Sequence, residues 1–250
     1  MRAADPTDDP DRVDRTQVAV VTFSRIARDT RVLRQCQLIA SLGYDPLVIA
    51  YGEAGDRTPF RVASWPLPRP SVAHRLNTVV RQLPAHAGRL AARAGFWMAP
   101  AHRFALAQLE KARPTLVVAN DWPALVVAAA YKARCSAGRG GPGAAPVKIH
   151  YDTHEFATLE FDDSPLWRVL YKPMVVRLER AAIASADSIS TVGPGIAEAI
   201  NALSPESVAR FKTAARRAAG ALCWDRERIV LRDCLLAHLN DAEHSAKGEA

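Results

Sequence analysis

A chain of 250 residues, 49% of them hydrophobic, is long enough to bury one sizeable core. No apolar run approaches the ~18 residues that a membrane-spanning helix needs. The four cysteines (Cys36, Cys135, Cys223 and Cys234) lack Cys-x-x-Cys spacing, which argues against a metal site or disulfide scaffold and for reduced core thiols in a cytosolic protein.

Residues 1–15 are rich in aspartate and proline (Asp5, Pro6, Asp8, Asp9, Pro10, Asp11), the opposite of a signal peptide, and are expected to be disordered. Residues 17–22 form a β-branched run of parallel-sheet type. The helix that follows carries Val32, Leu33, Cys36, Ile39 and Ala40 at helical spacing, with Asp29 or Thr30 as its N-cap and Gly43 as its stop. A strand at 45–50 completes a β-α-β unit. Its turn holds no glycine, so a dinucleotide cofactor is not indicated, because pyrophosphate needs close backbone approach. Arg28, Arg31 and Arg34 crowd the helix start instead. Two accounts of them stand equal: they reach solvent or pair with Asp29, or with the helix N-terminus they form a pocket for a phosphate or carboxylate.

A short strand is expected at 61–64. Between Arg61 and Arg113 stand nine arginines and lysines against one glutamate, enough to supply the whole net charge of +7. Within this segment Leu90, Phe96-Trp97-Met98, Phe104, Leu106 and Leu109 alternate with Arg89, Arg93 and Arg103. That pattern fits a contact with an anionic membrane surface, or aromatics packed on a sheet with arginines in water. No nucleic-acid motif accompanies it, and nucleic acid is not an expected partner.

Strand 115–119 runs into Asn120-Asp121-Trp122-Pro123, where Pro123 suits the first helical position and Asp121 a cap. After a Gly/Pro-rich loop at 138–146, strand 147–151 leads to Asp152-Thr153-His154-Glu155. Ligands of open α/β sheets bind beyond the carboxyl ends of the strands. A histidine between carboxylates there can move a proton or grip a hydroxyl. The plainer account has Asp152 capping the next segment and His154 satisfied in a loop. A helix at 167–185, with Arg168, Lys172, Arg177, Glu179 and Arg180 toward water, leads to a sixth strand at 188–192. Two amphipathic helices follow, one from Ser204 to Leu222 and one from Trp224 past Leu239. The expected fold is α/β: a Rossmann-like, mainly parallel sheet flanked by helices, with the C-terminal helical pair packed back on it.

Four segments in this order, Asp29-Thr30-Arg31-Val32-Leu33-Arg34, Ala119-Asn120-Asp121, Tyr151-Asp152-Thr153-His154-Glu155 and the run from Ala186-Asp187-Ser188 to Glu198, resemble the N-terminal half of the family-four retaining glycosyltransferases. The similarity covers residues 16–201. It implies the GT-B fold, two Rossmann-like domains across a cleft, and transfer of a sugar from a nucleotide sugar to a lipid-linked or small polar acceptor. By this resemblance His154 is the catalytic residue. Arg31, Asp29, Asn120, Asp121, Asp152 and Glu155 line the substrate site, and on the anion-pocket account of the helix start Arg28 and Arg34 make weak phosphate contacts. No metal or other cofactor is implied.

The family holds its nucleotide-sugar donor mainly in a C-terminal domain, through a basic pair and a Glu-x7-Glu motif. After Asn201 only helices and a polar tail remain. Glu198 and Glu206 have that motif's spacing, but Pro205 interrupts it. The closing helices resemble the family's last ones, which pack back on the N-terminal domain. The expected organisation is therefore a tail at 1–15, a Rossmann-like domain at 16–201, helices at 202–240 and a polar tail at 241–250. Three readings follow: an enzyme missing its donor domain, a half-enzyme whose partner protein supplies that half, and a membrane-surface module without chemistry. Nucleotide-sugar binding weaker than roughly millimolar is expected, because one or two charge-assisted hydrogen bonds barely exceed the cost of association. The expected location is the cytoplasm, peripheral at the inner face of the membrane.

Overall fold

The computed structural model describes residues 17–52, 60–69, 71–139, 146–153, 161, 163–191 and 224–247. Six strands, β1 (Gln17–Arg25), β2 (Asp45–Tyr51), β3 (Arg61–Trp65), β4 (Leu116–Asn120), β5 (Lys148–Thr153) and β6 (Ser188–Thr191), pair in the order β3-β2-β1-β4-β5-β6. Every pairing is parallel. This is the doubly wound Rossmann order, in which the chain reverses direction across the sheet between β1 and β4. All six strands expected from the sequence form, each within three residues of its expected bounds.

The helices are α1 (Thr30–Ser41), α2 (Val72–Gln82), α3 (Arg89–Trp97), α4 (Pro100–Ala112), α5 (Asp121–Arg134), α6 (Pro165–Leu170), α7 (Lys172–Ala182) and α8 (Trp224–Lys247). Alternating residues of the strands feed two cores, as the period of two requires. Ala19, Val21, Val117, Ala119, Ile149 and Tyr151 pack on one face against α4, α5 and α7. Val18, Val20, Val48, Leu116 and Val118 pack on the other against Val32, Cys36 and Ile39 of α1. Leu231, Leu235 and Leu239 of α8, spaced four apart, complete that second cluster. Full burial stabilises each leucine by about 1.5–3 kcal/mol, so the C-terminal helix is held on the sheet by this stripe. The companion helix expected at 204–222 lies outside the described residues.

The single helix expected at 167–185 divides at Tyr171. Pro173 stands in the first turn of α7; it has no N–H to give Val169, and its ring disfavours unbroken helix. Glu179 does not face water. It is half-buried and accepts a 2.6 Å hydrogen bond from the Tyr151 hydroxyl.

Of the apolar residues in the basic segment, Phe96, Leu106 and Leu109 are buried, and Phe104 and Trp97 pack against the same core. Leu90 and Met98 are exposed. That stretch is therefore largely consumed by the fold. Cys36 is buried, and burial followed by the charge of Asp29 pushes its thiol up to about 12, so it is an inert core residue.

Helix α3 crosses the end of α2 at a spacing only glycine permits. A Cβ on Gly95 would lie 2.3 Å from the backbone carbonyl oxygen of Arg81 and 3.1 Å from the Met174 methyl. Gly95→Ala should therefore lower stability by about 1–3 kcal/mol. Urea denaturation reads this directly, and an unchanged midpoint would show that α3 does not need the close approach.

Candidate functional site

Strand β1 reaches its end without glycine. Ser24 donates to Asp29, and the Asp29 carboxylate caps α1 by accepting from the Val32 N–H at 3.0 Å. A short 3-10 turn, Ile26–Arg28, bridges the two. Asp29 thus supplies the helix N-terminus with its own anion. Arg28 and Arg34 are exposed, whereas Arg31 turns inward.

Arg31 meets Asp152, at the end of β5, in a two-pronged ion pair. Nε donates to Oδ2 at 2.9 Å and Nη2 donates to Oδ1. Asp152 is almost fully buried, and Arg31 retains about a third of its side-chain exposure. The carboxylate also accepts from Gln35 Nε2 at 2.5 Å and Ser190 Oγ at 2.6 Å. Gln35 in turn accepts from Asn120 Nδ2 at 3.1 Å. One buried network therefore joins α1, β4, β5 and β6 at the crossover point. Among the described residues the buried Asn120 Oδ1 has no hydrogen-bond partner.

The network extends along the same face to His150, two residues before Asp152. Ser190 gives its only proton to Asp152, so it must accept from His150 Nε2, 3.1 Å away. With His150 neutral, its Nδ1 is bare and accepts from Ser188 Oγ at 2.8 Å, and Ser188 accepts from His238 Nε2 of α8 at 2.8 Å. This proton order requires a neutral His150. Burial lowers its pKa to about 4; Asp152 opposes that shift, and His238 and Arg31 add to it.

Asp187, within the fourth motif segment, holds the strands in place. It pairs with Lys132 at 2.6 Å and accepts the Ile149 N–H at 2.8 Å. Burial alone would raise its pKa, but the hydrogen bonds from Lys132 and Ile149 and the charges of Lys132 and Lys148 bring it below the ordinary value.

Asp121 opens α5 with φ at 67°, a left-handed conformation uncommon for aspartate. Asn120 precedes it without a side-chain cap bond, and, with Asp121 itself outside helical conformation, Pro123 stands in the first turn of the helix. Beside this turn, where β2 and β3 end, lies a cleft of about 420 Å³ lined by Tyr51, Trp65, Arg81, Phe96, His102 and Trp122. His102 stacks on Phe96, with centroids 3.8 Å apart, and its Nδ1 donates to the Phe96 carbonyl at 2.8 Å. Burial lowers the pKa of His102 to about 4, against the pull of that carbonyl and with the help of the Arg81 charge. The imidazole is neutral, and its other nitrogen carries a lone pair.

Arg31, Asn120 and Asp152, from three separate segments of the sequence, thus meet in one network. Asp29 and Asp121 stand at its borders. His154 and Glu155 lie outside the described residues. Gln35 was missed, although its place four residues after Arg31 puts it on the same helix face. His150 was missed as well; it alternates with Asp152 on one face of β5.

The family model for a glycosyl transferase 4-like domain matches residues 29–211. The chain belongs to this family. The matched span opens at the α1 cap and takes in the whole Arg31–Gln35–Asn120–Asp152 network, as well as the cleft. Two solved structures are similar to this glycosyl transferase 4-like chain. The glycosyltransferase SnogD from Streptomyces nogalater is 13% identical with a TM-score of 0.41, over 77% of this chain and 47% of its own. LpCGTa, in complex with UDP, is 14% identical with a TM-score of 0.36, over 72% of this chain and 46% of its own. The chain thus spans less than half the length of either. No curated protein matches the sequence. Among the described residues no helix is long and apolar enough to cross a membrane.

Proposed function

We propose that this chain carries the acceptor side of a glycosyltransferase, moving a sugar from a nucleotide sugar to a lipid-linked or small polar acceptor, with His154 at the reacting centre. The observation that carries the reading is the anchoring of Asp152, two residues before His154, at the carboxyl end of β5 in a parallel sheet, inside the family-matched span and tied to α1. That is where open α/β sheets bind ligands. The aromatic cleft supports an acceptor with an apolar part. Arg81 supplies a cation, and neutral His102 a hydrogen-bond acceptor for a hydroxyl.

The test is titration and turnover of the full chain against a panel of nucleotide sugars. His154→Ala should lower turnover about 10²-fold or more while leaving the unfolding free energy within ~0.5 kcal/mol of wild type, as expected of a side chain that serves chemistry and not packing. Neither binding nor turnover with any donor would sink the enzyme reading. Unfolding of His154→Ala by several kcal/mol would make His154 a structural residue. The half-enzyme form of the same reading, in which a second polypeptide supplies the donor-binding half, is tested by co-purification from the native cell. A chain recovered alone and monomeric counts against it.

A further inference from the structure

An amphipathic helix on a folded domain turns its apolar face inward. Helix α2 does the reverse. Val72, Leu76, Val80 and Leu83, which share one face at spacings of four, four and three, are 84%, 62%, 42% and 50% exposed. The half-buried residues of the helix are mostly the polar ones, His74, Thr78, Arg81 and Gln82. His74, Asn77, Arg81 and Gln82 line the cleft, so α2 lies with its polar side toward the cleft and its apolar side outward. No residue of α2 is fully buried. The helix is well formed, with Ser71 capping it by accepting from the His74 N–H at 3.0 Å.

Charge decides what covers this stripe. The segment that contains α2 holds nine arginines and lysines against one glutamate, and Arg69, Arg75, Arg89 and Arg93 are exposed. A second copy of the chain docking through the same patch would set arginine against arginine. An interfacial helix has this composition: a compact apolar stripe that enters the acyl boundary, with cations that reach the headgroups.

We propose that α2 docks the protein on an anionic bilayer surface through Val72, Leu76, Val80 and Leu83, which sets the mouth of the cleft beside the headgroup layer. This docking differs from the one suggested by the aromatic stretch around residues 96–109, whose large side chains are mostly in the core. It is also independent of whether the chain transfers sugar.

The test is flotation of the full chain with vesicles of phosphatidylcholine alone and of equal parts phosphatidylcholine and phosphatidylglycerol. Binding to the mixed vesicles and not to the neutral ones is expected. The Leu76→Asp/Val80→Asp double variant should bind at least ~tenfold more weakly, and Arg75→Glu should bind more weakly at low salt and lose less of its binding than wild type as salt rises. Both sites are exposed, so circular dichroism should show unchanged folding. Equal flotation with both vesicle types, or full binding by the double variant, overturns the proposal. So does a dimer in sedimentation that the double variant abolishes, because it would assign the stripe to a second copy.

Discussion

Asp152→Ala is expected to lower the unfolding free energy by ~2–4 kcal/mol, the largest loss from a single substitution in the network. Removing one partner of a buried pair leaves the other charge without compensation, at a typical cost of about 3–5 kcal/mol. Arg31 keeps about a third of its exposure and can rehydrate in part, which places the expectation below that range. Gln35 and Ser190 lose their acceptor in the same step, and the buried Gln35 has no such recourse. Asp152→Asn, which keeps the shape and one acceptor oxygen, should cost less. Urea denaturation of both variants and of Arg31→Ala, assembled with the double variant into a cycle, should give a coupling energy above ~1 kcal/mol. An Asp152→Ala protein within ~0.5 kcal/mol of wild type would remove the network as an organising feature.

The second large effect is in pH. His150 and His102 each drop from 6.5 to about 4 on folding, chiefly through burial. Between these values the unfolded chain binds more protons than the folded one, so stability is complete above pH 6.5 and declines as pH falls toward 4. From pH 7 to pH 5 each histidine should remove on the order of 2 kcal/mol, about 4 kcal/mol together. Glu179 runs the other way. Burial raises its pKa against the Tyr151 hydrogen bond, so its ionised form is disfavoured and acid relieves it. Asp187 lies below 3.8 and titrates outside this window. Denaturation midpoints at the two pH values measure the slope, and His102→Gln and His150→Asn should each remove about half of it. A slope that survives both substitutions would place the titrating groups elsewhere.

The sheet was legible because each strand is a short β-branched run bounded by turn residues, and parallel strands buried on both faces leave that trace. Strand β1 runs to Arg25 rather than stopping at Thr22, because Arg25 pairs with Tyr51 across a register irregularity, which no hydrophobic pattern records. The division at Tyr171 was readable from Pro173. The site was legible in parts only. Asp29, Arg31, Asn120, Asp121 and Asp152 stood out in the order of the family's segments. What joins Asn120 to the Arg31–Asp152 pair is Gln35, an ordinary helix glutamine whose role appears once β4 and β5 lie side by side. The outward stripe of α2 was hidden for a different reason: at helical spacing its apolar residues look like those of a helix facing a core, and only packing shows which way the face is turned.

Acceptor-side sugar transfer with His154 at the reacting centre can be measured in extracts of native cells from which the gene has been deleted. Sugar incorporation from a panel of nucleotide sugars is measured after adding back the wild-type chain or His154→Ala. One incorporation is expected to be absent from the deletion extract, restored by wild type and not restored by His154→Ala. Identical incorporation in the deletion, wild-type and His154→Ala extracts would contradict it.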